Sequence, residues 1–408
     1  MRYNFDKIVD RKGTDCLKYD FAVERGKPEG VLPLWVADMD FQTAPAVIEQ
    51  IEKTAAHGIF GYTDTKDDYY RAVAGWYEKH FGWRPEKEWL VKTPGIVFAL
   101  AAAVRAYTKE GDGVLLQQPV YYPFSEVIRD NDRRIVNSPL KLKGGRYEID
   151  FDDLEEKIAG EHIKLFLMCS PHNPTGRVWE EWELRKIGEL CLKYHVTVVS
   201  DEIHCDFVYP GHEHHVFASL DERYAGISLI CTSPSKTFNT AGLQVSNIWI
   251  PNPDLREAFE RAVRQTGYSQ LNVMGLAACR AAYEEGGEWY LQVKDYLKGN
   301  LDFTRAFLTR ELPEIHLIEP EGTYLLWLDF RDLKMTEEER EDLILNRAGL
   351  WLDSGAIFGE DGEGFERINI ACPRKVLEEA LVRLRDALGS LESGGGVKSN
   401  RTRAEKEK

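Results

Sequence analysis

Long apolar runs, paired cysteines and an excess of positive charge are all missing from this sequence. No stretch approaches the roughly 18 consecutive apolar residues that a membrane-spanning helix needs. The opening "MRYNFDKIVDRKG" also lacks the apolar centre of a secretory signal. The expectation is a cytoplasmic protein with no membrane partner. The 7 cysteines are scattered, odd in number and contain no CxxC pair, which reads as reduced thiols rather than a disulfide framework or a zinc site. Against 68 acidic residues stand only 52 basic ones, a formal net charge of −16. That balance argues against non-specific binding to nucleic acid or anionic membranes. Any anionic ligand must be held by a local site.

What is present is ordinary globular material, 43% hydrophobic and 29% charged over 408 residues. This length suits one large α/β domain with a smaller companion. Near-continuous apolar runs at 113–118, 163–170, 196–202, 227–233 and 245–250 alternate with helical patterns such as "EEWELRKIGELCLKYH" at 180–195. Strands of that kind, separated by helices, predict a mostly parallel sheet covered on both faces. After residue 285 a long charged helix, "TYLLWLDF", "RINIAC" and a final helix from about 374 predict a smaller α+β domain. The expected organisation is an N-terminal arm over 1–45 joining the small domain, a large domain over 46–285, a small domain over 286–391 and a disordered tail over 392–408. No internal repeat is visible.

Ligands of parallel sheets bind where strands end, and the segments after each run carry polar residues. "SDEIH" places Asp201 at a strand's carboxyl end, and "SPHNPTG" places Asn173 in a turn. "TPGIVFALAAAVRAY" opens a helix whose first amides, at Gly95, Ile96 and Val97, are free to hold an anion. "SPSKTFNTAG" sets Lys236 among Ser233, Ser235 and Thr237, and Arg367 stands in "RINIACPR". Taken singly, each has a bland reading as a cap, a turn or a solvated side chain. Together they supply what pyridoxal 5'-phosphate (PLP) chemistry needs: an amine, an acid for the pyridine nitrogen and donors for a phosphate.

In these motifs the chain resembles the fold-type-I PLP-dependent enzymes, the aspartate aminotransferase superfamily, up to about residue 390. It is most similar to the MalY/PatB-type cystathionine β-lyases, or C–S lyases. That resemblance rests on "LPLWVADMDF" (32–41), "GYTD" (61–64), "SPHNPTGRVW" (170–179), "SDEIHCDF" (200–207), "SPSKTFNTAGLQ" (233–244), "GTYLLWLDF" (322–330) and "RINIACPR" (367–374). It implies that Lys236 binds PLP covalently and acts as the base at Cα, and that Asp201 pairs with the pyridine nitrogen. It further implies that Asn173 bonds the ring oxygen and Tyr121 stacks on the ring, with Tyr122 as the rival. The phosphate is expected on the Gly95, Ile96 and Val97 amides with Ser233 and Ser235. Tyr62 is expected to reach the phosphate of the neighbouring subunit, which implies a homodimer with shared active sites. Arg367 is expected to hold the substrate carboxylate, with Arg374 a helix-start residue. His204 stands where aminotransferases carry a tyrosine, with packing and function equally open.

One departure stands out: Gln244 occupies the place of a phosphate-binding arginine of many aminotransferases. A metal reading of "GHEHHVF" (211–217), with His212, His214 and nearby Cys205 and Asp206, is weaker than a solvated loop. The implied reaction is α,β-elimination from L-cystathionine or a related cysteine S-conjugate, giving thiol, pyruvate and ammonia. Two alternatives stay open, an aminotransferase of aromatic or branched amino acids and a regulatory protein that retains the PLP site and binds a protein partner.

Overall fold

The computed structural model of the protein describes residues 2–393. Seven strands, β1 (Leu90–Thr93), β2 (Gly113–Leu116), β3 (Arg134–Asn137), β4 (Leu165–Cys169), β5 (Thr197–Asp201), β6 (Ser228–Thr232) and β7 (Ser246–Trp249), form one sheet. Their spatial order is β1-β7-β6-β5-β4-β2-β3. β7 runs against both its neighbours, while the remaining pairs are parallel. The central strands β2, β4 and β6 are buried at every position, as their unbroken apolar sequences require of a sheet covered on both faces. β1 and β3 carry no such run: "LVKT" is only partly buried and "RIVN" forms an edge, so neither announced itself in the sequence.

Eight helices concern the site: α1 (Pro45–His57), α2 (Asp67–Phe81), α3 (Ile96–Tyr107), α4 (Glu181–Tyr194), α5 (Pro234–Thr237), α6 (Val273–Glu285), α7 (Gly287–Glu311) and α8 (Arg374–Ser393). The face that α3 turns to the sheet is alanine-rich, with Ala99, Ala102 and Ala103 fully buried beside Leu100 and Val104. Small side chains bring the helix axis close to the strands, and its first turn then sits over their ends. α4 begins at a capping box in which Glu180 and Glu183 satisfy each other's backbone amides.

A second, antiparallel sheet is built from β8 (His316–Ile318), β9 (Leu325–Asp329), β10 (Asp353–Ser354) and β11 (Phe365–Asn369), in the order β8-β9-β11-β10. Residue 285, where the sequence led us to expect a boundary, is the last residue of α6, and α7 starts at Gly287. The N-terminal arm joins this second unit: Leu32–Pro33 pairs in parallel with Leu350–Trp351, and the Asp40 amide donates to the Ala371 carbonyl at 2.9 Å. Trp35 stacks on Trp351 with ring centroids 4.4 Å apart. Buried Lys18 reaches Asp40 at 2.9 Å and Asp38 at 3.4 Å, and Arg11 bonds both carboxylates as well. These contacts pin the 37–40 segment in place. The tail expected over 392–408 lies outside the described residues apart from its start, where α8 runs to Ser393. Among the described residues no helix is long and apolar enough to cross a membrane.

Candidate active site

In the sheet register Cys169 lies opposite Asp201, and Asp201 opposite Cys231. β4, β5 and β6 therefore end level with one another. The segments that leave them share a rim with the start of α3, and together they enclose a cavity of about 230 Å³. Lys236, Asp201, Asn173, Tyr121, His204 and Ser235 all line it, as do Gly95, Ile96 and Val97. Residues spread over about 140 positions of sequence meet here because parallel strands deliver their carboxyl ends to one edge.

Lys236 follows β6 on the short helix α5, whose cap is Ser233. Its Nζ donates to the Ala37 carbonyl at 2.7 Å. Burial lowers the amine from its ordinary 10.5 to about 8, with Arg367 pushing the same way and Asp38 and Asp201 opposing. Asp201 ends β5 with its carboxylate accepting only the Ile203 amide, at 3.1 Å. Burial raises this carboxyl to about 7, despite that hydrogen bond and nearby Lys236. No cation lies within ion-pair distance of this carboxyl among the described residues, and a cationic partner placed there would relieve the cost of its burial. His204 is buried, held neutral down to about 3 first by desolvation, and its Nδ1 has no partner. Its ring meets the edge of Tyr324, an arrangement that keeps it in place without a hydrogen bond.

Gly95 is the N-cap of α3 with φ +145°, a conformation that L side chains rarely adopt, and a Cβ there would meet nothing within 4 Å. The backbone shape, rather than crowding, calls for glycine here. No side chain caps this helix end, so its amides stay available to an anion. Gln244 also faces the cavity and brings no charge to it.

Asn173 accepts Arg367 Nη1 at 3.0 Å through Oδ1, and its carbonyl accepts the Tyr121 amide at 3.0 Å. The side chain that was expected on a ligand thus also positions an arginine. Arg367 on β11 is buried and does not itself line the cavity. Its Nη2 donates to the Trp35 carbonyl at 2.9 Å and to Asp353, which lies opposite it on β10, while Nε has no partner. Asp353 went unnoticed in sequence because nothing in "WLDSG" marks it; only antiparallel pairing with β11 brings it here. Asp38 and the Ala37 carbonyl were missed as well, although the "WVADMDF" motif that contains them was visible.

Two expectations need correction. The Ser233 hydroxyl is already used, donating to the Val245 carbonyl at 2.7 Å while accepting the Ser235 amide. Ser235 is therefore the hydroxyl free to serve a ligand. The histidine loop is not simply solvated: His214 is buried against Glu202 at 2.9 Å. Tyr62 lies outside the cavity of its own chain and is 97% exposed. Arg374 starts α8, with Nε donating to Asn300 at 2.8 Å. Among the described residues no group of His, Cys, Asp and Glu could hold a metal ion, and all 7 cysteines are free thiols.

Residues 29–384 match the family described as Aminotransferase class I and II. The chain belongs to this family. Within it, the protein is 43% identical over 385 residues to cystathionine beta-lyase PatB of Bacillus subtilis, covering 94% of this chain and 100% of that one. Protein MalY of Escherichia coli is 34% identical, with 95% and 99% covered. The crystal structure of cystalysin from Treponema denticola, which contains a pyridoxal 5'-phosphate cofactor, superposes with a TM-score of 0.92 at 40% identity, covering 96% of this chain and 100% of that chain. The fold of this aminotransferase-family chain is thus the fold-type-I architecture anticipated from its motifs.

Proposed function

We propose that the protein is a PLP-dependent carbon–sulfur β-lyase that cleaves L-cystathionine or related cysteine S-conjugates to a thiol, pyruvate and ammonia. The observation that carries this reading is the cavity itself. It sets an amine poised near neutrality, an uncompensated buried carboxyl and an uncapped helix N-terminus around one space. Each is a complement that PLP supplies: an aldehyde, a protonated ring nitrogen and a phosphate. Kinship with PatB supports elimination over amino-group exchange, and uncharged Gln244 agrees with it.

The residues present fit the cofactor. Lys236 would hold it through its amine, Asp201 would face the ring nitrogen, and Tyr121 and His204 would flank the ring. The amides of Gly95, Ile96 and Val97 with the Ser235 hydroxyl would take the phosphate. When bound, PLP supplies an electron sink for the carbanion left once an amino acid loses its Cα proton. Lys236, lowered to about 8, is in large part neutral at mildly alkaline pH, and a neutral amine can accept that proton. Arg367 orients the substrate: the unpartnered Nε and the Asn173-bound Nη1 offer donors to an α-carboxylate. A fixed carboxylate sets the direction of the Cα–H bond.

We further place the protein in the cytoplasm as a homodimer. The loop bearing Ile59, Phe60 and Tyr62 exposes these side chains by 73, 61 and 97%, more apolar surface than a free loop ordinarily shows. Such a loop suits a second subunit, where Tyr62 would reach the neighbour's phosphate site. The test is to load purified protein with PLP and supply L-cystathionine without a keto acid. Equimolar pyruvate and homocysteine, both lost in Lys236→Ala, is the expected result. Turnover only when a keto acid is added would make the protein an aminotransferase and overturn the proposal.

A further inference from the structure

Every backbone carbonyl from Leu34 to Met39 accepts a hydrogen bond, and along most of this run the donors alternate. The carbonyls of Leu34, Val36 and Asp38 are all held by Asn369, the last residue of β11. Its backbone amide donates to Leu34 at 2.8 Å, and its Nδ2 donates to Val36 at 2.8 Å and to Asp38 at 2.6 Å. The two carbonyls in between serve the site: Trp35 accepts Arg367 Nη2 at 2.9 Å, and Ala37 accepts Lys236 Nζ at 2.7 Å. Side chains two apart on a strand share a face, so Asn369 reaches the same segment that Arg367 meets.

Each peptide unit is a rigid plane. The Ala37 carbonyl belongs to the plane between those that carry the Val36 and Asp38 carbonyls, so holding these two leaves it little freedom to turn. The Trp35 carbonyl stands in the same way between those of Leu34 and Val36. Asn369 is itself fixed: it is buried, and its Oδ1 accepts the Ala371 amide at 2.8 Å, which leaves Nδ2 for the segment. Beyond Asp38 a second asparagine takes over. Asn239, three residues after Lys236, accepts the Met39 amide at 2.9 Å and donates to the Met39 and Phe41 carbonyls, both at 2.9 Å.

We propose that Asn369 is a positioning residue for the reaction: by holding the carbonyls of Leu34, Val36 and Asp38 it sets those of Trp35 and Ala37, and through them the Arg367 guanidinium and the Lys236 amine. This rests on the lyase reading, in which Arg367 holds the substrate carboxylate and Lys236 takes the Cα proton. One N–H of the amine given to a fixed carbonyl also fixes the direction of its lone pair. A single side chain thus keeps the carboxylate clamp and the base in register with one another, and a loss of register of about 1 Å is enough to cost about 100-fold in rate.

The test uses L-alanine and L-alaninol, in which a hydroxymethyl group replaces the carboxylate; neither has a group to eliminate. Their Kd values for the PLP-loaded protein are read from the cofactor's absorbance, beside kcat for L-cystathionine. In Asn369→Ala the preference for alanine over alaninol should fall by about tenfold or more, the worth of a charge-assisted hydrogen bond. With the amine out of alignment, kcat should fall by about tenfold or more as well. A residue that only tied the N-terminal arm to β11 would lower the unfolding temperature but weaken both ligands alike. Asn369→Asp keeps the size and the acceptor for the Ala371 amide but, once ionised, offers no hydrogen to Val36 or Asp38. It should show the same two losses, and it carries the test if the alanine variant does not fold. An unchanged preference, or an unchanged kcat, would overturn the role of Asn369 while leaving the lyase intact. Absence of pyruvate from L-cystathionine with the unaltered protein would overturn the lyase reading, and this inference with it.

Discussion

Replacing Lys236 by methionine should stabilise the cofactor-free protein, even though it destroys the activity. The amine lies in a dry cavity that holds its pKa at about 8 rather than 10.5. At about 1.4 kcal/mol per pH unit, keeping it protonated in the folded state costs about 3 kcal/mol at pH 7. Methionine has a similar reach and no charge, so the variant escapes this cost. It also gives up the hydrogen bond to the Ala37 carbonyl, worth about 1 kcal/mol, but Tyr324 still donates to that carbonyl at 3.2 Å. The expected net gain at pH 7 is about 2 kcal/mol. The sign with pH follows from proton counting. Between about 8 and 10.5 the folded lysine has lost its proton while the unfolded one retains it. Wild-type stability therefore climbs with pH across that window, and the variant lacks the climb. The advantage of the variant should shrink by about 2 kcal/mol between pH 7 and 9.5. Urea unfolding followed by tryptophan fluorescence at both pH values, with equal slopes in the two proteins, measures it. A wild type as stable as the variant at pH 7, or a difference that does not change with pH, would refute a desolvated amine and with it the basis for calling Lys236 a base.

Two further outcomes test separate parts of the structure. Gly95→Ala meets no neighbouring atom but forces φ +145° on an L residue, a strain of about 1–3 kcal/mol. Its Kd for PLP, measured by cofactor absorbance, should rise at least tenfold as the amides turn away, and an unaltered Kd would remove this helix end from the phosphate site. Arg177 is buried and paired with Glu183 at 2.7 Å and Glu321 at 2.9 Å. Arg177→Met leaves two carboxylates short of a cation and should cost about 3–5 kcal/mol in an unfolding titration; a loss below 1 kcal/mol would show that Arg146 alone compensates Glu321.

The central strands, their alternation with helices and the motifs at their ends were legible from the chain alone, because burial on both faces demands unbroken apolar runs. β1 and β3 were not, since an edge or partly solvated strand needs no such run. In the site, Lys236, Asp201, Asn173 and the Gly95 turn stood out because strand ends and turns mark themselves with polar residues and glycine. Ser233 illustrates the limit: its hydroxyl looked like Ser235's in sequence, and only the position of the Val245 carbonyl separated their roles. Asp353 could not be read at all, because it meets Arg367 across a ladder whose pairing follows from how the second sheet folds.

The sequence by itself determined which chemistry is available, through residue types whose identities do not depend on neighbours: an amine, a carboxylate, a guanidinium and a turn that frees backbone amides. Tertiary structure decided their protonation and reach. Burial brought Lys236 and Asp201 to about 8 and about 7, and Asn173, Asp353 and the Trp35 carbonyl fixed Arg367 in place. Desolvation and through-space charge are properties of position, and position is settled only when the chain has folded.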